Sequence, residues 1–282
     1  MTVGSAHDQR SFDGAAPAGP ATAGAANLVT GRKVLRCVGV GVTFSGLEAL
    51  REIDLSLVQG EIVGLVGPNG SGKTTLLNVL SGVIVPTTGR VEFEGRDVTR
   101  WPAHRIAALG VARTFQNIRL FGQMSGLENV EVGAALQPGH PVGAALRRAA
   151  RAVLAETGLL GVADRPARTL PYGIRRRLEI ARALATHPAF LLLDEPAAGA
   201  NEAESDELRT LIAELRRAHG LGILVVEHDL RLIMRLADRI VVLNEGARIA
   251  EGSARDVSTD PAVRKAYLGR RAVEGLEPKE SD

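Results

Sequence analysis

A nine-residue stretch of the chain, GPNGSGKTT, has the residue types and spacing of a loop that holds phosphate groups. It occupies residues 67–75, fits the pattern G-x-x-x-x-G-K-[ST], follows the apolar run EIVGLV and precedes LLNVLSG, which is typical of a helix. Glycines let main-chain N–H groups curl around phosphate oxygens, and the start of a helix adds partial positive charge. We therefore predict a phosphate-binding loop formed by Gly67, Pro68, Asn69, Gly70, Ser71, Gly72, Lys73, Thr74 and Thr75.

Lys73 and Thr74 carry the side-chain chemistry of this loop. A lysine ammonium at this position reaches the β- and γ-phosphates of a nucleotide, and the hydroxyl that follows can bind Mg²⁺. Lys73 is the only lysine between residues 34 and 264, in a chain that otherwise uses arginine there. A compact point charge fits a tight loop better than a planar guanidinium does, so this choice supports the prediction.

A second chemical pattern is FLLLDEP, in which four apolar residues end in two adjacent carboxylates, Asp194 and Glu195. In open parallel sheets, ligands bind at the C-terminal ends of strands. We expect Asp194 to lie beside the phosphates and to help hold Mg²⁺. Glu195 points elsewhere and can orient or deprotonate an attacking water. An acidic strand end is common by itself, and its pairing with the phosphate loop favours the functional interpretation.

Two further polar residues follow apolar strands. His228 ends the run ILVVE, one crossover past Asp194, so we expect its strand to neighbour the Asp194 strand and its imidazole to come near a γ-phosphate. Gln116 follows the strand-like GVARTF. By residue type alone, a histidine at a strand end is as easily structural, and such an amide is normally a solvated polar residue.

Residues 170–184, LPYGIRRRLEIARAL, place a glycine just before an arginine-rich amphipathic helix. N–H groups at such a helix start can face an anion. Yet Pro171 stands two residues before Gly173, and Ile174 follows it. From these residues alone, the stretch is a phosphate-contacting sequence, a degraded one, or simply a helix start.

The surrounding elements predict an α/β fold. Short β-branched stretches, among them VLRCVGVGVTF, IDLSL and RVEFEG, are separated by glycine-containing turns. Residues 103–108 and 142–157 have helical patterns, and from residue 190 strands alternate with helices, which implies parallel pairing through right-handed crossovers. IVVLNEG and ARIAEG predict a closing hairpin. A helix that ends at Gly220 repeats apolar residues at helical spacing, at Leu208, Leu211, Ile212 and Leu215.

Composition excludes several classes of protein. Of 282 residues, 45% are hydrophobic and 23% charged, as in ordinary globular proteins, and the net charge of +2 offers no basic surface for nucleic acid. The single cysteine, Cys37, allows no disulfide within the chain and is expected to be a buried, inert thiol. No apolar run approaches 18 residues and the N-terminus has no signal-peptide pattern, so we expect an intracellular chain without a membrane span.

The two ends of the chain are expected to differ from its middle. Residues 1–32 are rich in Ala, Gly and Pro with almost no large apolar side chains, which predicts a disordered extension. Residues 271–282 form a charged C-terminal tail. The folded domain is therefore expected at residues 33–270.

Together, these motifs resemble those of ABC-type ATPases over roughly residues 34–270. Residues 67–74 correspond to Walker A, and residues 190–194 with Glu195 correspond to Walker B. Gln116 corresponds to the Q-loop glutamine, and His228 corresponds to the histidine that comes after Walker B in the chain. The signature corresponds to Leu170, Pro171, Tyr172, Gly173 and Ile174. The resemblance implies an ABC-type P-loop NTPase, with a RecA-like parallel-sheet core, an antiparallel β subdomain and an α-helical subdomain at about residues 120–182.

The resemblance also implies an ATPase with ATP and Mg²⁺ as its cofactors. Phe44 would stack on adenine, and Glu195 would be the base for in-line attack of water on the γ-phosphate, with Lys73 and His228 stabilising charge. The residues implied to bind Mg²⁺ are Thr74, Gln116 and Asp194. The signature would face the nucleotide of a second cassette, which implies a head-to-tail dimer with two ATP molecules.

Longer matches narrow the resemblance. ARTFQNIRLFGQMSGLENV, LLLDEPAAGAN and VRKAYLG are similar to the ATP-binding subunit of high-affinity branched-chain amino acid importers. This implies transmembrane permease subunits as partners, an identical or related second ATPase, and a solute-binding protein outside the membrane that acts indirectly. It also implies a cytoplasmic, peripheral place on the inner face of the membrane. Importers of urea or amides share much of the pattern, so the solute stays open.

Two other functions stay open on the residues alone. A soluble ABC-type ATPase of DNA repair or translation usually adds a long coiled coil, a zinc module or a second cassette, and the sequence has none of these features. A regulatory module that binds ATP but barely hydrolyses it is suggested by Asn201, where many family members have aspartate, and by the altered signature.

The resembled subfamily also carries asparagine at the position of Asn201, so Asn201 does not depart from the subfamily pattern. Pro171 does depart from it. It stands where the usual LSGGQ has serine and the subfamily often has alanine. Proline offers neither a hydroxyl nor an N–H, and losing one charged hydrogen bond would weaken dimer closure about ten- to a hundredfold.

Overall fold

The computed structural model describes residues 31–136, 139, 141–228 and 230–268 of the chain. Apart from residues 31 and 32, the predicted N-terminal extension lies outside the described residues. The charged tail at residues 271–282 lies outside them as well.

Ten strands form two sheets within these residues. They are β1 (Val34–Phe44), β2 (Leu47–Val58), β3 (Ile62–Val66), β4 (Thr88–Phe93), β5 (Arg96–Asp97), β6 (Val111–Arg113), β7 (Phe190–Asp194), β8 (Gly222–Val226), β9 (Arg239–Asn244) and β10 (Ala247–Gly252). One sheet is antiparallel in the order β2-β1-β4-β5, and the other has the order β10-β9-β3-β8-β7-β6. Its neighbouring strands are parallel except in the β9–β10 hairpin, which confirms the predicted closing hairpin.

The described residues form nine α-helices, which include those predicted at residues 103–108 and 142–157 and the one that ends at Gly220. They are α1 (Lys73–Leu80), α2 (Ala103–Ala108), α3 (Gly126–Ala134), α4 (Ala144–Glu156), α5 (Tyr172–Leu184), α6 (Glu202–His219), α7 (Leu230–Leu236), α8 (Ala254–Thr259) and α9 (Pro261–Leu268). α6 begins with a reciprocal capping box between Asn201 and Glu204, and it ends at Gly220, which is left-handed with φ 62°. Asn201 therefore has a local structural role as a helix cap.

The parallel sheet lies between two layers of apolar side chains. β3, β7 and β8 are buried along their whole length, as expected for parallel strands covered on both faces. Leu65, Leu192 and Leu224 belong to a cluster with the antiparallel sheet and α1. Val66 and Leu193, one residue later in their strands, belong to a second cluster with α5, α6 and α7. Because β3, β7, β8 and β9 pair in parallel, their C-terminal ends lie at the same edge of the sheet.

A third apolar cluster joins α3, α4 and the inner side of α5 through Leu127, Leu154 and Leu178. The same helix α5 contributes Ile180 and Leu184 to the cluster on the sheet. α5 is therefore held between the helices and the sheet. None of the helices in the described part of the chain is long and apolar enough to cross a membrane.

The expectation of a buried cysteine is confirmed. Cys37 is 2% exposed in the core beneath the antiparallel sheet. Burial raises the pKa of its thiol to about 12, so the thiolate that would react is suppressed in the folded chain.

Candidate nucleotide site

The loop between β3 and α1 has a backbone that only glycine allows at two positions. A Cβ on Gly67 would lie 2.2 Å from the carbonyl oxygen of Leu243. Gly72, the N-cap of α1, has φ 100°, and a Cβ there would lie 2.6 Å from the carbonyl oxygen of Ala49. The loop is therefore pressed against β9 and β2, which fixes the path of its N–H groups into the start of α1.

Lys73 begins α1 and is 5% exposed. Its ammonium donates hydrogen bonds to the carbonyl oxygens of Gly67, at 2.8 Å, and Pro68, at 2.9 Å. Burial lowers the pKa of Lys73, and the nearby carboxylates of Glu195 and Asp194 oppose that shift. The Lys73 ammonium thus lies against the carbonyl oxygens of the loop that is predicted to bind phosphate.

An open cleft of about 830 Å³ lies over this loop. It brings together most of the predicted site: the loop residues 69–75, Gln116, Glu195 and His228 all line it. A second wall was not predicted and consists of Gly46, Leu47, Glu48, Ala49, Arg51 and Glu245. Phe44, 45% exposed, is not among the lining residues, although it precedes this wall by two positions.

Asp194 lies beneath the cleft at the end of β7 and is 1% exposed. Its Oδ2 accepts a hydrogen bond from the guanidinium of Arg113 at 3.1 Å, and both side chains are buried. Burial raises the pKa of Asp194, and Arg113 opposes the rise. The other oxygen, Oδ1, is buried and has no hydrogen-bond partner among the described residues.

Arg113 also donates to Asn78 Oδ1 at 2.6 Å and so ties β6 and β7 to α1. Sequence reasoning missed this arginine, because a strand-ending arginine gives no sign that its partner is a carboxylate 81 residues away.

Glu195 follows Asp194 with a left-handed backbone, φ 47°, which is strained for a residue with a side chain. Its N–H donates to the carbonyl of Val226 at 2.9 Å, and its Oε2 accepts from Gln116 Nε2 at 3.1 Å. The turn thus sends the two neighbouring carboxylates in different directions, Asp194 inward and Glu195 into the cleft.

The prediction that the His228 strand neighbours the Asp194 strand is confirmed, since β7 and β8 pair in parallel with Asp194 opposite Val226. The His228 side chain is 58% exposed at the cleft. The preceding residue, Glu227, is 1% exposed, and its Oε1 accepts the N–H of Ala197 at 2.7 Å.

Glu227 was not predicted, although it ends the apolar run ILVV as Asp194 ends FLLL. Burial raises its pKa to about 6, while the hydrogen bond from Ala197 acts in the opposite direction. Glu227 therefore fixes the segment that follows Glu195 to the end of β8.

The predicted signature lies at the start of α5 and does not line the chain's own cleft. Pro171 is the N-cap residue, with φ −55° and ψ 155°, so the ring fits the backbone without strain. Leu170 before it has the extended backbone that a following proline favours. Its side chain is 4% exposed. Tyr172 is 42% exposed. The ring of Pro171 therefore restricts the backbone of the turn that leads into α5.

Two buried atoms show that these residues fit a nucleotide and a cation. Ser71 Oγ and Asp194 Oδ1 are buried without a hydrogen-bond partner in the described part of the chain, which is costly unless a ligand satisfies them. No group of three or more His, Cys, Asp or Glu side chains within the described ranges could hold a metal ion. A cation bound by Thr74 and Asp194 would complete its shell with phosphate oxygens and water, as Mg²⁺ commonly does.

Comparison with known proteins places this geometry in a family. Residues 50–198 match the family described as ABC transporter, and residues 247–273 match the family described as branched-chain amino acid ATP-binding cassette transporter. The chain is 43% identical to the high-affinity branched-chain amino acid transport ATP-binding protein BraF of Pseudomonas aeruginosa, over 84% of this chain and 98% of that protein. It is 43% identical to LivG of Escherichia coli K12, which has the same description, over 82% and 96%.

Solved structures agree with the sequence relatives. The ADP conformation of MJ1267, an ATP-binding cassette of an ABC transporter, is 31% identical with a TM-score of 0.77, covering 84% of this chain and 99% of that one. A dimeric post-hydrolysis state of the cassette MJ0796 bound to ADP and Pi is 26% identical with a TM-score of 0.72, covering 78% and 98%. The expected α/β P-loop fold and ATPase class are confirmed. The chain belongs to the ABC transporter ATP-binding family.

Proposed function

We propose that this chain is the ATP-hydrolysing subunit of an importer for branched-chain amino acids and drives solute uptake through separate permease subunits. The convergence of the phosphate loop, Glu195 and His228 on one cleft carries the hydrolytic part of the proposal. The branched-chain part is supported by the match at residues 247–273 and by BraF and LivG, which align over nearly their whole length.

In the proposed reaction, the N–H groups of residues 67–75 and the Lys73 ammonium surround the phosphates of ATP. Bound Mg²⁺, held by Thr74, Asp194 and Gln116, would neutralise phosphate charge. Lys73 exchanges its hydrogen bonds to the two loop carbonyls for bonds to the β- and γ-phosphates. The exchange is favourable because the phosphate oxygens are charged acceptors and the carbonyl oxygens are neutral.

Hydrolysis depends on residues at the mouth of the cleft. The Glu195 carboxylate, held by Gln116, orients a water in line with the γ-phosphate and accepts its proton. His228 donates a hydrogen bond to the γ-phosphate from the neighbouring strand end. Phe44 stacks on the adenine at the outer end, beyond the wall that starts at Gly46.

The signature completes a second site in this proposal. The first N–H groups of a helix have no acceptor within the helix, and those of Tyr172, Gly173 and Ile174 begin α5. They would contact the γ-phosphate of ATP held by another cassette, identical or related. ATP then closes the pair because its phosphates bridge the two chains, and hydrolysis removes the bridge.

The remaining partners follow from this arrangement. The permease would dock on the surface near residues 119–132 and the helical region, where Phe121 is 50% exposed. Docking there would put the chain on the inner face of the membrane, with a solute-binding protein acting indirectly from the other side. The folded domain at residues 33–270, with a helical subdomain at about residues 120–182, would provide this docking surface.

The test is ATP turnover by the transporter assembled with its permease subunits and binding protein. We expect leucine, isoleucine or valine on the binding protein to stimulate turnover more than urea or a short amide. Glu195→Gln is expected to lower turnover about 10²- to 10⁴-fold while nucleotide binding persists. Turnover no higher in the wild type than in Glu195→Gln would contradict hydrolysis by this chain. Stimulation by urea or amides alone would contradict the branched-chain assignment, and co-purification with DNA or ribosomes would contradict transport.

A further inference from the structure

A buried arginine on α5 holds the segment that carries Gln116. Arg176 is 2% exposed and is among the largest fully buried side chains of the described residues. Its Nη1 donates to the carbonyl oxygen of Phe115 at 2.6 Å, and its Nη2 donates to the carbonyl oxygen of Gln116 at 2.8 Å. Two successive peptide groups, those that follow Phe115 and Gln116, are thus held from a helix 60 residues away.

Glu179, one turn later on α5, holds the same segment from its N–H side. Its Oε1 accepts the N–H groups of Phe115, at 3.4 Å, and Arg119, at 3.2 Å. Its Oε2 accepts from Arg176 Nη1 at 3.1 Å. A buried ion pair costs desolvation and rarely persists for stability alone. Here the pair satisfies main-chain groups of an irregular segment that has no sheet partner to do so.

The Arg176 guanidinium also reaches the signature. Nη2, which binds the carbonyl of Gln116, lies 3.1 Å from the hydroxyl of Tyr172. The Gln116 side chain in turn donates to Glu195. Glu195 in the cleft is therefore connected to the side chain of Gln116, the main chain of Gln116 to Arg176, and Arg176 to Tyr172 at the start of α5.

We propose that Arg176 is a positioning residue that couples the chain's own nucleotide cleft to its signature. The inference rests on the proposed function, in which the signature serves the nucleotide of a second cassette. A ligand that moves Gln116 shifts the carbonyl oxygen to which Arg176 Nη2 donates. Because Nη2 also bonds the Tyr172 hydroxyl, the shift reaches Tyr172. A guanidinium is required, because the two nitrogens of its rigid fork reach four acceptors and a lysine ammonium has only three N–H donors on one nitrogen.

Arg176→Lys keeps the charge and removes the fork, and Tyr172→Phe removes only the hydroxyl that Arg176 reaches. Arg177→Gln is the matched control, since Arg177 lies next to Arg176 on α5 but pairs with the exposed Glu207. The first readout is amide hydrogen exchange of residues 115–121 in the nucleotide-free full chain. We expect exchange about tenfold faster in Arg176→Lys, as loss of about one hydrogen bond implies. Tyr172→Phe and Arg177→Gln are expected to match the wild type.

The second readout is turnover by the assembled transporter, combined with the affinity of the isolated chain for a fluorescent ATP analogue. We expect Arg176→Lys and Tyr172→Phe each to lower kcat about tenfold, with analogue affinity within about twofold of the wild type. The double variant is expected to be no slower than Arg176→Lys, because both changes break one series of bonds.

Unchanged exchange at residues 115–121 in Arg176→Lys would overturn the proposal. So would full additivity in the double variant, which would show that Tyr172 acts independently of Arg176. If Arg176→Lys accelerates exchange throughout the sheet, the substitution has destabilised the whole fold and the Tyr172→Phe variant decides. Wild-type turnover by the Tyr172→Phe variant would then overturn the coupling. Absence of hydrolysis in the wild type would instead count against the proposed function, since the exchange readout needs no turnover.

Discussion

At the phosphate loop, glycine is required by the chain itself, whereas at the signature it is not. A Cβ on Gly67 or Gly72 would meet a backbone carbonyl at 2.2 or 2.6 Å. A Cβ on Gly173 would meet only the Glu204 side chain, at 3.6 Å, which is ordinary contact. Glycine in a helix costs up to about 1 kcal/mol relative to alanine. The packing of the described residues therefore does not require glycine at position 173, and in the proposed dimer the requirement would come from a second cassette's nucleotide approaching its backbone.

The same difference holds for the side chains. The phosphate loop is closed over a buried lysine whose bonds are satisfied internally. The signature instead exposes Tyr172 and begins with an N-cap that makes no side-chain capping bond. The cleft is a largely preformed site, whereas in the proposed dimer the signature would supply half of a second one.

The largest effect is expected from Gly67→Ala. The added methyl group has no room between Leu243 and Ser71, so the loop must move, at a cost of about 1–3 kcal/mol or more in folding stability. Displaced N–H groups should weaken nucleotide binding about a hundredfold. Chemical denaturation and titration with a fluorescent ATP analogue measure the two losses. Wild-type values for both would remove the claim that this glycine is required internally.

A smaller and opposite pattern is expected from Gly173→Ala. Folding stability should be unchanged or higher by up to about 1 kcal/mol, because alanine fits the helix and its surroundings. Turnover of the assembled transporter should fall about ten- to a hundredfold. A variant that is destabilised as strongly as Gly67→Ala would show that Gly173 also serves the chain's own packing.

Glu227→Gln tests the preformed cleft, through the dependence of folding stability on pH. The folded-state pKa of Glu227, about 6, lies above its ordinary value of 4.5, so the wild type loses stability as pH rises through this window. Glutamine stays neutral and accepts the Ala197 N–H as well. From below pH 4.5 to above pH 6, the variant should gain about 2 kcal/mol relative to the wild type. Denaturation at several pH values measures the difference, and a constant difference would contradict the buried carboxylate.

The smallest effect is expected from Pro171→Ser. Serine at this N-cap can accept an N–H of the first turn, which adds about 1 kcal/mol of stability. In the proposed dimer it would restore a hydroxyl toward the facing nucleotide, so we expect a modest rise in ATPase rate. Loss of activity in this variant would show that the ring itself is needed to start α5 correctly.

Contiguous motifs made much of the cleft predictable. The phosphate loop is local in sequence, and the crossover rule correctly placed the His228 strand beside β7. Glu227 was equally accessible, because a carboxylate directly after ILVV is the same pattern as Asp194 after FLLL.

Other parts of the site depend on contacts that no sequence window contains. Arg113 and Asp194 are 81 residues apart, and Arg176 and Phe115 are 61 apart. In a chain rich in exposed arginine, residue type does not show which guanidinium turns inward. The wall around Gly46 and Glu245 likewise consists of residues at the start of β2 and in the flanking turns, and these residues match no motif.

The central claim, that the signature completes a nucleotide site on a second cassette, is tested most directly by ATP retention. A transporter assembled with the Glu195→Gln chain and given ATP and Mg²⁺ should retain ATP through gel filtration, because hydrolysis no longer opens the closed pair. Adding Gly173→Ala to that chain should release the nucleotide, although the isolated chain's affinity for the ATP analogue is unchanged. Equal retention by the two transporters would contradict the account.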